Sequence, residues 1–440
     1  MSPPGPAAPT TSRRGWRGGV DRAPHVVVAG LAATWIAALA VEGGLGTGPM
    51  YLVFLGLVAT AFFAAWAMPL SRFRPLPHLV LLAVGCYLLV EVARQPVLTG
   101  SGFVHLAIGW LVLWLSFSVA SESARMGRAL LAVVVVVGLV EAAYGLLQVV
   151  FGIGGERVAS GTLRVSSHLA ALLNMTSALL LGLLLAGRWP SVGETAADRR
   201  RRLLVAGACG ACWLAVAGTT SRGGVLTLVA TVLYLLALRW ARRRRESASP
   251  SAPEPSRDRP TRAEEGARRR WARIAVVAGL LLTVAGPVVR APSLALDPGN
   301  RPAIYRDTVT LIADNPMGVG PGMYRWALRP YQSSLPNKRF RHAHNHYLEL
   351  AAEWGVPAAA LLTLFLIVRC AASARLYLRS RDPSRRALAL GASGAMLSLL
   401  LHGLVDFVFH VPAVLMAFAL IVAYWWCEAR RGNEISSEAL

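Results

Sequence analysis

Charged residues are scarce in this chain. Only 15% of its 440 residues are Asp, Glu, Lys or Arg, whereas 55% are hydrophobic, and the mean hydropathy is +0.49. Soluble domains are closer to a quarter charged, so this composition indicates a protein in contact with lipid. Apolar runs long enough to cross a bilayer recur along the chain, and they must be helical because lipid offers no partner to a free backbone group. The sequence therefore predicts an all-α integral membrane protein.

Cysteine is also rare. The chain has five Cys residues, and all of them lie in or beside apolar runs. Cys209 and Cys212 have the spacing of a redox or metal-binding pair, but they fall among Ala and Gly inside an apolar run, where a reactive thiolate would be inaccessible. We interpret them as small packing residues of a membrane helix.

Basic residues far outnumber acidic ones, which gives a net charge of +22. A strongly basic chain is often a nucleic-acid-binding protein. Here, however, the arginines occur in short tracts between apolar runs, as the topology of a membrane protein requires. The expected partner is the lipid bilayer, and nucleic-acid binding is not expected.

Hydropathy predicts about twelve transmembrane helices, of which the first nine form a membrane domain over 26–288 and the last three lie within 356–427. The predicted spans are 26–41, 50–68, 77–93, 103–120, 128–151, 168–186, 203–218, 223–238, 271–288, 356–370, 387–404 and 411–427.

The distribution of arginine predicts the topology. Even-numbered loops hold the arginine excess, for example Arg199–Arg202 and Arg242–Arg245, so both termini are expected in the cytoplasm. The expected cytoplasmic parts are an N-terminal tail, an Arg-rich linker and a C-terminal tail, at 1–25, 239–270 and 428–440. We interpret the arginines of the first tail as a membrane anchor and not as an export signal.

One predicted extracytoplasmic loop, 289–355 between spans 9 and 10, differs from the others. It is too polar to span the membrane and too aromatic to be a solvated linker. Residues 301–313 predict an amphipathic helix with Ile304, Val309, Leu311 and Ile312 as its apolar members. Gly318, Gly320 and Gly322 then predict a tight turn. A long ordered loop usually carries function, so we expect this helical loop to hold the functional site.

Several short motifs lie in and near this loop. They are Ser221-Arg222-Gly223-Gly224, Asn300–Asp307 with its Arg301, the Pro-x-Gly-x-Gly turn at 316–320, His344-Asn345 followed by Glu353-Trp354-Gly355, and His402–Phe407. Together they resemble the O-antigen ligase and O-antigen polymerase superfamily. The motifs cover about 222–410, and the twelve-span layout extends the resemblance over the chain.

The resemblance implies a multispan, GT-C-like glycosyltransferase of the bacterial inner membrane. It implies transfer of a glycan from undecaprenyl diphosphate to a lipid, glycan or protein acceptor, by an inverting and metal-independent reaction without a cofactor. By motif, Arg222 and Arg301 correspond to the family's donor-binding and catalytic arginines, and His344 to its catalytic histidine.

The residues themselves agree with this chemistry. Departure of a polyprenyl diphosphate develops negative charge, and guanidinium groups bind phosphate oxygens in a bidentate fork while staying charged. A histidine titrating near neutrality suits a general base for an acceptor hydroxyl. By the predicted topology Arg222, Arg301 and His344 all lie outside. The outer loops have no Asp-x-Asp or clustered carboxylate motif, so no metal site is predicted.

Each assignment has a structural alternative. Arg222 could anchor a helix at the membrane interface, and Arg301 could cap its helix or pair with Asp307, with Arg306, Arg325 and Arg329 as competitors for its role. His342, His344 and His346 alternate as metal ligands on a strand would, and which of them is the base stays open.

Further residues are possible supports of the site. His342, Asn345 and Glu353 accompany the His-Asn motif, and His168 opens the sixth span, where it could meet the sugar of the carrier. His402, Asp406 and His410 are four residues apart, which on one helix face would form a His–Asp–His network or simple end packing. Glu141 lies within a span, where a carboxylate is costly, and Gln148 is a possible partner.

The leading function is therefore an O-antigen ligase-like transferase, acting for example on the lipid core of a lipopolysaccharide. A polymerase of lipid-linked repeat units and a protein O-oligosaccharyltransferase use the same donor chemistry, so the motifs do not separate them. A multispan transporter is the remote alternative. Transporters of this size tend to have repeated halves, and no half-repeat is visible here.

Overall fold

The computed structural model describes residues 23–41, 47–67, 100–122, 124–154, 157–186, 195–247, 300–332 and 339–437. The predicted spans at 77–93 and 271–288 lie outside these residues. So do most of the predicted N-terminal tail and of the Arg-rich linker.

Within the described ranges the chain forms thirteen α-helices and no strand. The helices are α1 (Ala23–Ala40), α2 (Thr47–Ala67), α3 (Gly100–Glu122), α4 (Ala124–Phe151), α5 (Ser166–Ala186), α6 (Ala196–Gly218), α7 (Arg222–Ser247), α8 (Arg301–Asp314), α9 (Tyr324–Ala327), α10 (His346–Trp354), α11 (Val356–Arg379), α12 (Pro383–His402) and α13 (Pro412–Ser437).

Six of these helices are long and apolar enough to cross a membrane, namely α4, α5, α6, α7, α11 and α13. Shorter apolar helices lie within α1, α2 and α3, at Pro24–Ala40, Gly48–Ala64 and Ala107–Ser121. The chain is thus a helical multipass membrane protein, as predicted. The total of twelve spans and the side on which each loop lies stay predictions.

Small residues allow the two central helices of the bundle to cross closely. A Cβ atom added at Gly182 of α5 would lie 2.5 Å from the carbonyl oxygen of Ala387 and 2.6 Å from the amide nitrogen of Gly391, both on α12. Helices α5 and α12 are buried along most of their length. Their close packing therefore helps to set the positions of the helix ends around them.

Cys209 and Cys212 are buried in α6 as free cysteines. Their interpretation as packing residues of a membrane helix is confirmed. No metal ligand or disulfide partner approaches them among the described residues.

Helices α8, α9 and α10 form a small body of their own beside the bundle. Its buried core consists of Leu311, Tyr324, Leu328, Ala343 and Ala352. The amphipathic helix predicted over 301–313 is present as α8. One of its expected apolar members is misplaced, however, because the side chain of Val309 is 54% exposed on the face that α10 and Tyr324 do not cover.

The glycine turn and the Glu-x-Gly motif bind each other through their backbones. The amide of Val319 donates to the carbonyl of Ala352 at 2.9 Å, and the amide of Gly320 donates to the carbonyl of Glu353 at 2.9 Å. Gly318 has a φ of +86°, and a Cβ atom added there would lie 2.5 Å from the Glu353 carbonyl oxygen. Glycine is therefore required both by conformation and by space.

Candidate functional site

The ends of several helices meet at the turn that follows α12. Helix α12 ends at His402, and residues 403–407, called here the α12 turn, lead into the short 3₁₀-helix Val408–His410 before α13. Helices α5, α7, α8 and α10 all begin near this turn, as the contacts below establish. We call this end of the bundle the site end.

His344 and Asp406 face each other at the site end. The His344 Nδ1 atom lies 3.4 Å from Asp406 Oδ1. The side chain of His344 is 39% exposed, whereas that of Asp406 is 5% exposed. His344 has a φ of +51°, a strained conformation for a non-glycine residue, and its carbonyl accepts a hydrogen bond from the Tyr305 hydroxyl at 2.9 Å.

The carboxylate of Asp406 is well supplied with donors. It accepts the backbone amide of Phe407 at 2.9 Å and a hydrogen bond from the Ser167 side chain. Burial acts to raise the pKa of Asp406, but the bond with His344, the nearby His168 and these two donors outweigh burial and lower it. Asp406 is therefore ionised at neutral pH.

Helix α10 holds His344 in place by attaching to α12. The Asn345 side chain caps α10 by accepting the amides of Tyr347 and Leu348 at 3.0 and 3.2 Å. The amide of His346 donates to the carbonyl of Gly403 at 2.7 Å, and the Tyr347 hydroxyl donates to the carbonyl of Leu400 at 2.6 Å. The His-Asn pair thus combines an exposed imidazole with the cap of the next helix.

His342 belongs to a second pair. Its Nδ1 lies 2.7 Å from Glu349 Oε1, and its ring stacks on that of Phe407 with centroids 3.9 Å apart. Burial alone would lower the pKa of His342, but the Glu349 carboxylate outweighs it and raises that pKa. Burial acts to raise the pKa of Glu349, yet the charges of His410 and His342 lower it to about 2. His342 is thus fixed as a partner of a buried carboxylate.

Glu353 supports the glycine turn. Its Oε1 accepts the amide of Tyr324 at 3.1 Å, and the Tyr324 hydroxyl lies 2.7 Å from Thr308 Oγ1 of α8. Burial, reinforced by the nearby Glu349 charge, raises the pKa of Glu353 to about 8. At neutral pH Glu353 is therefore mainly a neutral acid that links α8, α9 and α10.

Arg222 is exposed at the first position of α7. The residue after it packs on the α12 turn, because a Cβ atom added at Gly223 would lie 2.7 Å from Val405 and 3.8 Å from His402 Nε2. The carbonyl of Gly224 accepts a hydrogen bond from the Asn174 side chain of α5 at 2.9 Å. The Ser-Arg-Gly-Gly motif therefore brings Arg222 beside the α12 turn, with glycines where neighbouring helices approach.

Arg301 is half-buried at the first position of α8. It is near enough to Tyr305 and His402 for its charge to act on both side chains. Two of its sequence competitors are engaged elsewhere, because the guanidinium groups of Arg325 and Arg329 lie 4.9 and 4.0 Å from the ring centroid of Trp326. The fold thus brings Arg222, Arg301 and His344 to one end of the bundle.

His168 and His402 lie beneath this surface. Both side chains are buried, and within the described part of the chain neither ring nitrogen of either residue has a hydrogen-bond partner. The His168 ring contacts that of Phe407 edge-on with centroids 5.2 Å apart. The expectation that His168 meets the carrier's sugar is not supported, because the packing around Phe407 encloses it.

Of the two alternatives for His402, Asp406 and His410, the His–Asp–His network on one helix face is wrong. The helix ends at His402, so Asp406 falls in the α12 turn and His410 in the 3₁₀-helix. His410 Nε2 lies 3.6 Å from Glu349 Oε1, away from Asp406.

The strand that would align His342, His344 and His346 is also absent from this described region, since His346 begins α10. Across the described residues no group of three or more His, Cys, Asp or Glu side chains is arranged to hold a metal ion.

The sequence motifs contain residues whose contacts were not predicted. Phe407 ends the quoted His402–Phe407 motif, and Glu349 lies between the His-Asn and Glu-Trp-Gly motifs. Their contacts with the histidines depend on how these segments fold together. One usable signal was the spacing of Glu349 and Glu353, which puts both carboxylates on one face of α10. Ser167 and Tyr305 carried no signal of their contacts.

Part of the chain matches a protein-family model. Residues 207–363 match the family model described as O-antigen ligase. This range includes Arg222, Arg301 and His344, whereas His168, His402 and Asp406 lie outside it. No curated protein matches the chain. The family match confirms the resemblance to the O-antigen ligase superfamily that the motifs predict.

Proposed function

We propose that the protein transfers a glycan from undecaprenyl diphosphate to an acceptor hydroxyl on the outer face of the inner membrane. The family match supports an activity of the ligase or polymerase type. The observation that carries the proposal is the position of His344, partly exposed and facing the buried Asp406, where the arginine-led helices α7 and α8 begin.

His344 is the proposed general base. Because its Nδ1 faces the ionised Asp406, the tautomer with hydrogen on Nδ1 is favoured, and the lone pair of Nε2 is left for the acceptor. His342 is less suitable, since Glu349 favours its protonated form. His346 is less suitable as well, because it is buried and its ring stacks on Phe409 with centroids 4.4 Å apart.

The proposed reaction is a single displacement. The acceptor oxygen forms a bond to C1 of the first donor sugar while its proton moves to Nε2 of His344. The bond from C1 to the phosphate oxygen breaks, and its electron pair leaves with the diphosphate, so the configuration at C1 is inverted. Arg222 and Arg301 bind the diphosphate and stabilise the charge that develops on it. No metal ion is required, because both cations belong to the chain.

The proposed topology places the site end on the extracytoplasmic side of the inner membrane and both termini in the cytoplasm. Two exposed arginines give a matched test, since Arg341 precedes the His-Asn motif and Arg243 lies near the far end of α7. In intact cells a membrane-impermeant maleimide is expected to label Arg341→Cys but not Arg243→Cys. Labelling of Arg243→Cys alone would place the site in the cytoplasm and end the proposal.

Acceptor identity separates three forms of the proposal, of which ligase is the first choice and polymerase or protein O-oligosaccharyltransferase the alternatives. The test supplies purified full-length protein in liposomes with a lipid-linked repeat unit and a candidate acceptor. Longer glycans still attached to the carrier would identify a polymerase. Glycan on a lipid core or on protein would identify a ligase or an oligosaccharyltransferase. An unchanged donor that instead crosses the bilayer would favour a transporter and contradict the proposal.

A further inference from the structure

The connection between α4 and α5 folds back beside α4, a helix apolar enough to cross a membrane, and it is irregular apart from one 3₁₀ turn at Gly161–Leu163. We call residues Arg157–Val165 the descending segment. A Cβ atom added at Gly145 of α4 would lie 3.2 Å from the Cβ of Ala159, so the segment runs beside α4 about 9 Å before the helix ends at Phe151. The side chains of Val150 and Phe151 are 64% and 71% exposed, as expected for a helix that contacts lipid up to its end.

Irregular backbone at this depth needs partners within the protein, because lipid supplies none. Gln148 of α4 accepts the amides of Ser160 and Gly161 at 2.9 and 2.8 Å and donates to the Gly161 carbonyl at 3.3 Å. Glu141 accepts both the amide and the hydroxyl of Thr162, at 2.9 and 2.7 Å. The two polar side chains of α4 therefore bind the descending segment rather than each other.

The fit between Glu141 and the segment is close. Gly161 has a φ of +62°, and a Cβ atom added there would collide with the Glu141 carboxylate. Ala159, Gly161 and Leu163 are fully buried or nearly so. A carboxylate within a membrane span is costly, and here it is kept where it binds one short segment.

The descending segment determines where α5 begins. Helix α5 starts at Ser166, immediately after the segment, and the next residue, Ser167, donates a hydrogen bond to Asp406. Asp406 in turn faces His344 at 3.4 Å. A continuous set of bonds and chain links therefore joins Glu141 in α4 to the proposed base through Thr162, Ser167 and Asp406.

We propose that Glu141 is a positioning residue for glycan transfer, which acts by holding the descending segment so that Ser167 stays against Asp406. This inference rests on the proposed function, because it takes the Asp406–His344 pair as the base. Glu141 touches neither substrate nor base. Its loss is expected to reduce turnover while leaving donor binding at Arg222 and Arg301 largely intact.

The first experiment compares kcat and KM of the full-length protein for a lipid-linked glycan. Thr162→Val removes the hydroxyl that Glu141 accepts, and Thr162→Ser keeps it. Thr162→Val and Glu141→Ala are expected to lower kcat about 10- to 100-fold, since small misplacements of reacting groups cost rates of this order. KM for the donor should stay within about threefold of the parent value if donor binding is intact. Equal kcat values for Thr162→Val and Thr162→Ser would overturn the proposal.

A matched control removes an equivalent hydroxyl elsewhere. Thr231 of α7 is also buried, and its hydroxyl donates to the carbonyl of Thr227 at 2.7 Å, with no link to Asp406 among the described contacts. Thr231→Val is expected to keep parental kcat. If it loses as much activity as Thr162→Val, the loss reflects general damage to the bundle and the proposal fails.

A double-mutant cycle tests whether Glu141 acts through Asp406. In a chain that already carries Asp406→Asn, Glu141→Ala should cause little further loss, because coupled residues are not additive. Losses that multiply in the double variant would show that Glu141 acts independently of Asp406. That result would overturn this inference while leaving the proposed transfer reaction intact. Absence of transfer by the parent protein would overturn both.

A labelling experiment follows the descending segment without relying on activity. In Leu163→Cys the new thiol replaces a fully buried side chain next to Thr162, so it should resist a water-soluble maleimide. It should become reactive when Glu141→Ala is added. Reactivity is measured above that of the chain with its native cysteines, of which the four described are buried. Equal labelling with and without Glu141 would contradict its role in holding the segment.

Discussion

His344 Nδ1 and Asp406 Oδ1 lie 3.4 Å apart although 62 residues separate them in the chain. The contact joins the body formed by α8, α9 and α10 to the turn after α12. His344 reaches it with a positive φ, which is held by the Tyr305 hydroxyl on one side and by the cap of α10 on the other. A strained backbone conformation thus falls on the residue that we propose as the base.

Replacing Asp406 should lower the rate of the chemical step more than the affinity for the donor. Asp406→Asn removes the charge that orients His344 Nδ1 and is expected to lower kcat by about 10²-fold or more, as for the loss of general base catalysis. The release of undecaprenyl diphosphate from a lipid-linked donor measures this. Asp314→Asn, at an exposed position at the end of α8, is the control and should keep parental activity. An active Asp406→Asn would contradict the pairing.

The transfer rate should depend on the shape as well as the charge of the two arginine side chains that begin α7 and α8. Arg222→Gln and Arg301→Gln are each expected to lower the transfer rate about 10²- to 10³-fold, because a group that stabilises developing charge is lost. Lysine at either position should restore only part of the rate, since an ammonium group lacks the bidentate fork. Arg325→Gln is the control, because that guanidinium stacks on Trp326. Equal rates for all variants would exclude diphosphate binding by these residues.

An added side-chain atom in the glycine turn should lower the stability of the protein. Gly318→Ala adds a Cβ atom that would lie 2.5 Å from backbone atoms of Glu353 and Gly355, and overpacking of this kind costs about 1–3 kcal/mol beyond the strain of a positive φ. Gly154→Ala is the matched control, since Gly154 has a φ of +89° but no atom within 4 Å of the added Cβ. Thermal unfolding in detergent should show the larger loss for Gly318→Ala. A similar loss for both variants would mean that strain alone, and not the contact, requires glycine.

The buried Glu353 predicts a pH dependence of stability. Its pKa in the folded protein is raised to about 8 by burial and by the Glu349 charge. The contribution of Glu353 to stability is therefore greatest below the ordinary pKa of a glutamate, about 4.3, and it decreases as the pH rises toward the folded value. Glu353→Gln removes this titration, so its melting temperature relative to the parent should rise between about pH 5 and pH 8. A constant difference over that range would show that Glu353 does not titrate there.

The sequence predicted much of the architecture because hydropathy acts locally along a membrane protein. The topology inferred from arginine position stays a prediction. Long helices occur at the predicted spans that the structure describes, and α8 and the glycine turn lie where periodicity and glycine placed them. The motifs pointed to Arg222 and Arg301, which lie at the starts of α7 and α8. Their roles in the site stay predictions.

Contacts between distant segments could not be predicted in this way. The pairing of His342 with Glu349, the stacking on Phe407 and the bond from Ser167 to Asp406 depend on how four helix ends meet. The network alternative for His402, Asp406 and His410 was wrong for the same reason. A spacing of four residues places side chains on one face only where the helix continues, and this helix ends at His402. Glu141 was recognised as costly, but its partner Thr162 lies in a segment without helical or strand periodicity.

The central claim is that His344, and not its neighbours, accepts the proton of the acceptor. The most direct measurement is the rate at which purified full-length protein releases undecaprenyl diphosphate from a lipid-linked glycan, compared for the parent, His344→Ala and His342→Gln. We predict that His344→Ala still binds the donor but transfers no glycan, whereas His342→Gln keeps measurable transfer with inversion at C1. Transfer by His344→Ala at the parental rate would contradict the account.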